Sequence, residues 1–271
     1  MKKCLSFTWF ITALIFSLTA CTSTPSILTQ QASPTIEAIL PTPIESALVP
    51  KTSTPTSLDD TSAPHTISFE TADGATVSGE LYGTGETAVI FSVMGNCKPG
   101  WRGFARVTAE NGFMALTYLW HGCKMNSADE MLIQKFLEDT RAAITFVRKQ
   151  GAKKIILVGA SLGGCASAKL AVESQASGIV VLAAPPSIPQ WGFEIETKDL
   201  NTNIPKLFIT AENDGTVPAK ATHALYDLAA EPKEWQTYPG LAHGTDLFGT
   251  ESGEEIQQRI LKFILAIAST K

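Results

Sequence analysis

Residues 154–164 constrain this chain more than any other stretch. Ile155 to Val158 is an unbroken β-branched and aliphatic run, the pattern of a strand buried on both faces of a parallel sheet. Leu162 to Glu173 is rich in alanine and other small residues and predicts a helix. Between them, Gly159-Ala160-Ser161-Leu162-Gly163 sets Ser161 on a sharp strand-to-helix turn. Such a turn forces strained backbone angles on the serine, so the residues two positions away must be small, and both are glycine. The hydroxyl is lifted clear of the sheet, and the N-terminal amides of the following helix are aimed at it.

A serine hydroxyl is a poor nucleophile until a base takes its proton and a carboxylate fixes the tautomer of that base. His243 supplies a base in Pro239-Gly240-Leu241-Ala242-His243-Gly244, after the last predicted strand. Asp214 supplies an acid in Ala211-Glu212-Asn213-Asp214-Gly215-Thr216-Val217-Pro218, after the strand before it. Both lie just past the carboxyl ends of strands, where open α/β sheets keep their sites. The order Ser, Asp, His is that of hydrolases with an elbow serine. Glu212 and Asp246 are rival acids, but Glu212 sits too early in its loop and Asp246 only three residues past His243. Asp214 also has a plain reading as a helix cap or an Asp-Gly turn. Among rival bases, His65 borders a polar tract, His223 falls on a predicted helix and His121 ends a predicted strand.

The remaining folded part begins near Thr66. Residues 66–70 and 76–82 predict two strands around the turn Asp73-Gly74. Further strands are predicted at 87–92, 113–119, 179–183, 206–210 and 234–238. Helices are predicted at 101–110, 129–150, 219–230 and after Ser252, the second of them with Leu132, Phe136, Ala143, Phe146 and Val147 near helical spacing. A hairpin followed by repeated strand–helix units predicts an α/β fold. It is a mostly parallel sheet of about eight strands with helices on both faces.

From about residue 66 onward the chain resembles the α/β-hydrolases, close to the small carboxylesterase and dienelactone-hydrolase-like branch. The resemblance rests on Gly159-Ala160-Ser161-Leu162-Gly163, on Asp214-Gly215-Thr216-Val217-Pro218 and on His243-Gly244. It implies Ser161 as nucleophile, His243 as base and then acid, and Asp214 as the residue that orients it. It also implies the Leu162 amide as one oxyanion donor and Met94 or Gly95 as the other. Many relatives carry a histidine at the start of that oxyanion loop, where this chain has Val93 and Met94. In the same fold, the third and fourth core strands are neighbours, which puts Cys97 and Cys123 at one end of the sheet and implies a disulfide between them. Cys165, on the elbow helix, reads as a small buried hydrophobe. The cap of this fold is inserted after the sixth core strand, and here that excursion, 185–204, suits a short helix or flap and not a lid domain. Trp191 and Phe193, with Pro186 and Ile188, are expected either to wall the cleft or to pack on the sheet edge. Lys98, Arg102 and Lys124 are expected at the same rim.

The implied activity is hydrolysis of small soluble carboxylic esters through an acyl-enzyme. A peptidase or acyltransferase on the same scaffold is the alternative chemistry, and a catalytically idle surface binding lipoprotein the alternative class. No cofactor is expected: there is no His-x-x-x-His, no Cys-x-x-Cys, no acidic cluster at ligand spacing and no Gly-rich phosphate loop. A net charge of −5 gives no reason to expect nucleic acid as a partner.

Three segments precede or make up the fold. Residues 1–20 read as a signal peptide, with Lys2 and Lys3 ahead of the apolar run Leu5 to Leu18. Leu18-Thr19-Ala20-Cys21 looks like a bacterial lipoprotein signal, which implies lipid on Cys21 and an exported protein anchored to a membrane of the cell envelope. Residues 21–64, dominated by Ser, Thr and Pro, read as a disordered tether, and 65–271 as the hydrolase domain with a minimal cap.

Overall fold

The computed structural model describes residues 63–124 and 132–270. The signal segment 1–20, Cys21 and all but the last two residues of the 21–64 tether lie outside the described residues, as does 125–131. In chain order the strands are β1 (His65–Glu70), β2 (Thr76–Tyr82), β3 (Thr87–Ser92), β4 (Met114–Leu119), β5 (Lys154–Ala160), β6 (Gly178–Leu182), β7 (Ser187–Ile188), β8 (Phe193–Glu194), β9 (Lys206–Ala211) and β10 (Lys233–Tyr238). The helices are α1 (Arg102–Glu110), α2 (Leu132–Lys149), α3 (Leu162–Lys169), α4 (Thr197–Leu200), α5 (Ala219–Leu228) and α6 (Gly253–Ser269).

Eight strands form one sheet in the order β1-β2-β4-β3-β5-β6-β9-β10. β2 pairs antiparallel with both β1 and β4, and every other neighbour is parallel. The expected fold class is therefore what the chain adopts, and each of the eight strands lies within two residues of its predicted run. The inner strands β3, β5, β6 and β9 are buried almost throughout, because helices cover both faces of the parallel part. Leaving β3 the chain steps one way to β4, then crosses back over β3 to reach β5. With right-handed crossovers, α1 falls on one face and α2 and α3 on the other. The crevice between the diverging loops opens above β3 and β5, which is where such sheets bind their ligands.

The elbow helix is shorter than its sequence suggests. α3 ends at Lys169 and not at Glu173, because the chain must turn back into β6. The amide of Ala171 donates to the Ala168 carbonyl, Gln175 takes a left-handed φ of 53°, and the amide of Ala176 returns to the Ala171 carbonyl. Within 185–204, β7 and β8 pair in a two-stranded antiparallel ribbon, followed by the single turn α4.

Cys97 and Cys123 are joined by a disulfide, their Cα atoms 5.7 Å apart. Cys165 is a free thiol, fully buried, and burial pushes its pKa up to about 12. A thiol so protonated and so enclosed is inert to alkylation. Iodoacetamide should therefore label none of these three cysteines in the native protein, Cys165 alone after denaturation without reductant, and all three after reduction. Peptide mass spectrometry reads the result, and label on Cys97 or Cys123 before reduction would contradict the bridge.

Candidate active site

Ser161 follows β5 with φ 53° and ψ −118°, angles that a residue with a β-carbon adopts only when its surroundings impose them. The imposing contacts are backbone ones. Its amide donates to the Leu182 carbonyl at 2.8 Å, and its carbonyl accepts from the Cys165 amide at 3.0 Å. A β-carbon on Gly159 would lie 2.0 Å from the Gly163 carbonyl oxygen, and one on Gly163 would lie 2.2 Å from that of Ser92. Both glycines are thus required by close backbone approach, as their spacing around the serine implies.

The register of the sheet sets the next partner. Ser92 of β3 stands opposite Gly159 of β5, so the chain two residues on, at Met94, is level with Ser161. A β-carbon on Gly95 would sit 3.5 Å from Leu162 Cδ2, which places the loop after β3 against the first residue of α3. The loop after β3 therefore adjoins the start of α3, and the Leu162 amide belongs to the first helical turn, where no intrahelical acceptor exists. Trp101, fully buried, anchors the root of this loop by donating its indole N–H to the Ser92 carbonyl at 3.0 Å.

His243 comes from the loop after β10, and its Nδ1 lies 2.9 and 3.1 Å from the two carboxylate oxygens of Asp214. Asp214 has a fully buried side chain, and its Oδ1 also accepts from the amides of Thr216 and Val217 at 2.8 Å each. With Nδ1 committed to the carboxylate, Nε2 is the free nitrogen of the ring, and it is buried without a hydrogen-bond partner. The next residue ties this loop to the elbow: a β-carbon on Gly244 would lie 2.4 Å from Met94 Sδ and 3.3 Å from the β-carbon of Ala160. Thr245 then packs on the oxyanion side, its hydroxyl 2.2 Å from where a Gly100 β-carbon would be. Three loops, at 94–100, 160–162 and 243–245, so converge on one point.

The other candidates fall elsewhere. Glu212 is exposed, and Asp246 is exposed with Lys98 at 3.8 Å. His65 is exposed on β1, and His223 pairs with Asp227 one turn along α5. His121 has its own carboxylate: Nδ1 is 2.6 Å from Asp139 Oδ1, and its amide donates to Asp139 Oδ2 at 2.8 Å. Burial raises the Asp139 pKa above the ordinary carboxylate value, while the His121 bonds pull it back. Phe193 is 3% exposed and belongs to the core, whereas Trp191 is half-buried against that core. Arg102 is no free cation at the rim, because Glu80 holds it in a bidentate pair at 2.8 and 2.7 Å. The Lys124 side chain lies outside the described residues.

Sequence reasoning missed Asp139 and Trp101. Asp139 carried a signal, since it lies three residues after Phe136 and four before Ala143, an acid on the apolar face of a predicted helix. Trp101 carried none, because its bond to Ser92 depends on the tertiary path of the loop.

A cleft of about 150 Å³ opens beside this centre, among Gly79, Val93, Pro99, Trp101 and Arg102. Its walls include the root of the oxyanion loop but neither Ser161 nor His243, so it adjoins the site without containing it. Among the described residues no group of three or more His, Cys, Asp or Glu is placed to hold a metal ion, and no helix is long and apolar enough to cross a membrane.

No family model matches the chain. The uncharacterized protein YfhR of Escherichia coli K12 is 28% identical over 151 residues, 48% of this chain and 53% of that protein, so the chain spans about half the length of the curated relative it matches. Among solved structures, the esterase domain of a Rhodothermus marinus protein aligns with a TM-score of 0.61 at 17% identity, over 74% of this chain and 97% of that one. Est1E from Butyrivibrio proteoclasticus aligns with a TM-score of 0.62 at 13% identity, covering 76% and 99%. XC6422 from Xanthomonas campestris, described as an α/β serine hydrolase without lid, gives 0.59 at 14%, covering 75% and 94%. At these identities the likeness establishes the α/β-hydrolase fold.

Proposed function

We propose that this chain is a serine hydrolase that cleaves carboxylic esters through an acyl-enzyme. The observation that carries the reading is His243. Its Nδ1 is held by a buried carboxylate, its Nε2 is buried and unpartnered, and a β-carbon on the residue after it would lie 3.3 Å from that of Ala160, the residue before a strained serine. The esterases and the lidless serine hydrolase among the structural neighbours support ester chemistry on this scaffold.

Ser161 Oγ attacks the ester carbonyl as His243 Nε2 takes its proton. The imidazolium so formed is stabilised by Asp214, whose two amide donors keep its carboxylate in place. The oxyanion of the tetrahedral intermediate accepts from the Leu162 amide and from that of Met94 or Gly95, each donor lowering the barrier by about 3–4 kcal/mol. Collapse expels the alkoxide, which leaves as the alcohol with the proton from His243. Water then attacks the acyl-enzyme with His243 again as base, and the acid leaves Ser161 free.

The alkyl chain meets a shallow site. The 185–204 excursion is a two-stranded ribbon and one short helix, and Ser161 is partly exposed. Phe193 is turned into the core, and Trp191, half-buried against that core, is the one of the pair we assign to the apolar wall. Each buried methylene contributes about 0.8 kcal/mol, so a cleft that covers only a few of them selects weakly for long chains. The lipoprotein motif at Leu18–Cys21 supports an exported enzyme held to a membrane of the cell envelope by lipid on Cys21, the tether setting it off from the surface.

Four measurements test this reading. A fluorophosphonate probe should label the wild type and not Ser161→Ala. Ester turnover should fall by several orders of magnitude in Ser161→Ala and His243→Ala, and about ten-thousandfold in Asp214→Asn, where the imidazole loses its correct tautomer. Near-wild-type turnover in Asp214→Asn would overturn the assignment of the acid. Across p-nitrophenyl esters from acetate to palmitate, kcat/KM should peak at about two to six acyl carbons, with no jump when droplets form. A long-chain maximum would mean a lid exists. Finally, wild type should partition into a detergent phase and Cys21→Ser into water, and equal release of both would exclude the anchor.

A further inference from the structure

The loop that carries Met94 and Gly95 is held from within by short-range hydrogen bonds. The amide of Cys97 donates to the Met94 carbonyl at 3.0 Å, the amide of Lys98 to Asn96 Oδ1 at 3.1 Å and the amide of Gly100 to the Lys98 carbonyl at 2.8 Å. Cys97 sits at a left-handed φ of 59°, a conformation that a residue with a β-carbon keeps only when something outside the turn fixes it. The fixture at that residue is the disulfide to Cys123.

Cys123 lies in the 3-10 turn His121–Lys124 after β4, and that turn is clamped in its own right. The amide of Cys123 donates to the Trp120 carbonyl at 2.9 Å, and the Trp120 ring lies so close under Gly122 that a β-carbon there would be 1.8 Å from it. The clamp's outer end is Asp139 on α2. Its side chain is fully buried, and it spends one oxygen on the His121 ring and the other on the His121 amide. A buried carboxylate fixed at both oxygens to one residue, two positions from a half-cystine, determines where that half-cystine stands.

We infer that Asp139 and His121 are positioning residues for the oxyanion loop, acting on Met94 and Gly95 through the Cys97–Cys123 disulfide. The sequence of contacts runs from the 18-residue helix α2 through the carboxylate to His121, along two residues to Cys123, across the sulfur bridge to Cys97 and back to the Met94 carbonyl. Its catalytic meaning rests on the hydrolase reading, but the mechanical coupling does not.

The test combines Asp139→Asn, the double variant Cys97→Ser/Cys123→Ser, and all three changes together. Hydrogen–deuterium exchange of the peptide covering 93–98 reads the coupling without any need for catalysis. It should quicken in Asp139→Asn and in the double variant, with no further increase when the changes are combined. On p-nitrophenyl acetate, kcat should fall about ten- to a hundredfold with KM nearly unchanged, again without additivity. If Asp139→Asn fails to fold, His121→Ala, which removes the ring bond and keeps the amide bond, should give a smaller effect of the same kind. Reduction of the wild-type bridge with a phosphine should reproduce the double variant. Unchanged exchange at 93–98 in a folded Asp139→Asn, or additive losses, would overturn the relay. Exchange that responds as expected in a protein inert towards esters would leave the relay standing and sink the hydrolase reading instead.

Discussion

Two carbonyl oxygens, those of Gly163 and Ser92, stand 2.0 and 2.2 Å from where the β-carbons of Gly159 and Gly163 would be. The rest of the site depends on that closeness. It lets α3 start directly against the end of β5, so that Ser161 is held at φ 53° by hydrogen bonds to β6 and α3 and not by its own preference. It also brings the start of α3 onto the backbone at the end of β3, so the serine and the loop after β3 share one small volume. A single added methyl at either glycine would force the strand and the helix apart.

Parallel pairing does the remaining alignment. In a parallel sheet all carboxyl ends emerge together, so residues 94, 161, 214 and 243, far apart in sequence, leave β3, β5, β9 and β10 on one edge. The turn after β9 then fixes Asp214 through the Thr216 and Val217 amides, and the carboxylate fixes His243. Each step narrows the freedom left to the next group, and the Nε2 of His243 is left buried without a partner.

How much of this was legible follows from the range of the forces involved. Buried parallel strands are unbroken apolar runs, and the eight strands could be placed from them because that pattern is local. Ser161 was legible because its steric demand falls on residues two positions away. The end of α3 was not, since Ala-rich sequence favours helix beyond Lys169 and the reversal into β6 overrides that preference. Phe193 and Trp191 look alike in sequence, yet one is core and the other half-exposed, because only the ribbon of β7 and β8 decides which way each faces. Arg102 read as a rim cation until β2 supplied Glu80, a partner 22 residues away. Asp139 is the instructive case: its place on an apolar helix face was visible, and its partner was not.

The bridge between Cys97 and Cys123 closes a ring with a sequence separation of 26, which encloses the whole of α1 and β4. Its effect is therefore not confined to the native structure. In the chain-entropy view, closing a ring of that size removes conformations from the unfolded chain alone, raising its free energy by about 3.5 kcal/mol relative to the reduced form. A large share of the margin that keeps a domain folded, about 5–15 kcal/mol in total, is then set by a bond whose influence lies in the states the protein avoids. Oxidation of the two thiols accordingly makes the denatured ensemble a smaller place, before a single native contact has formed.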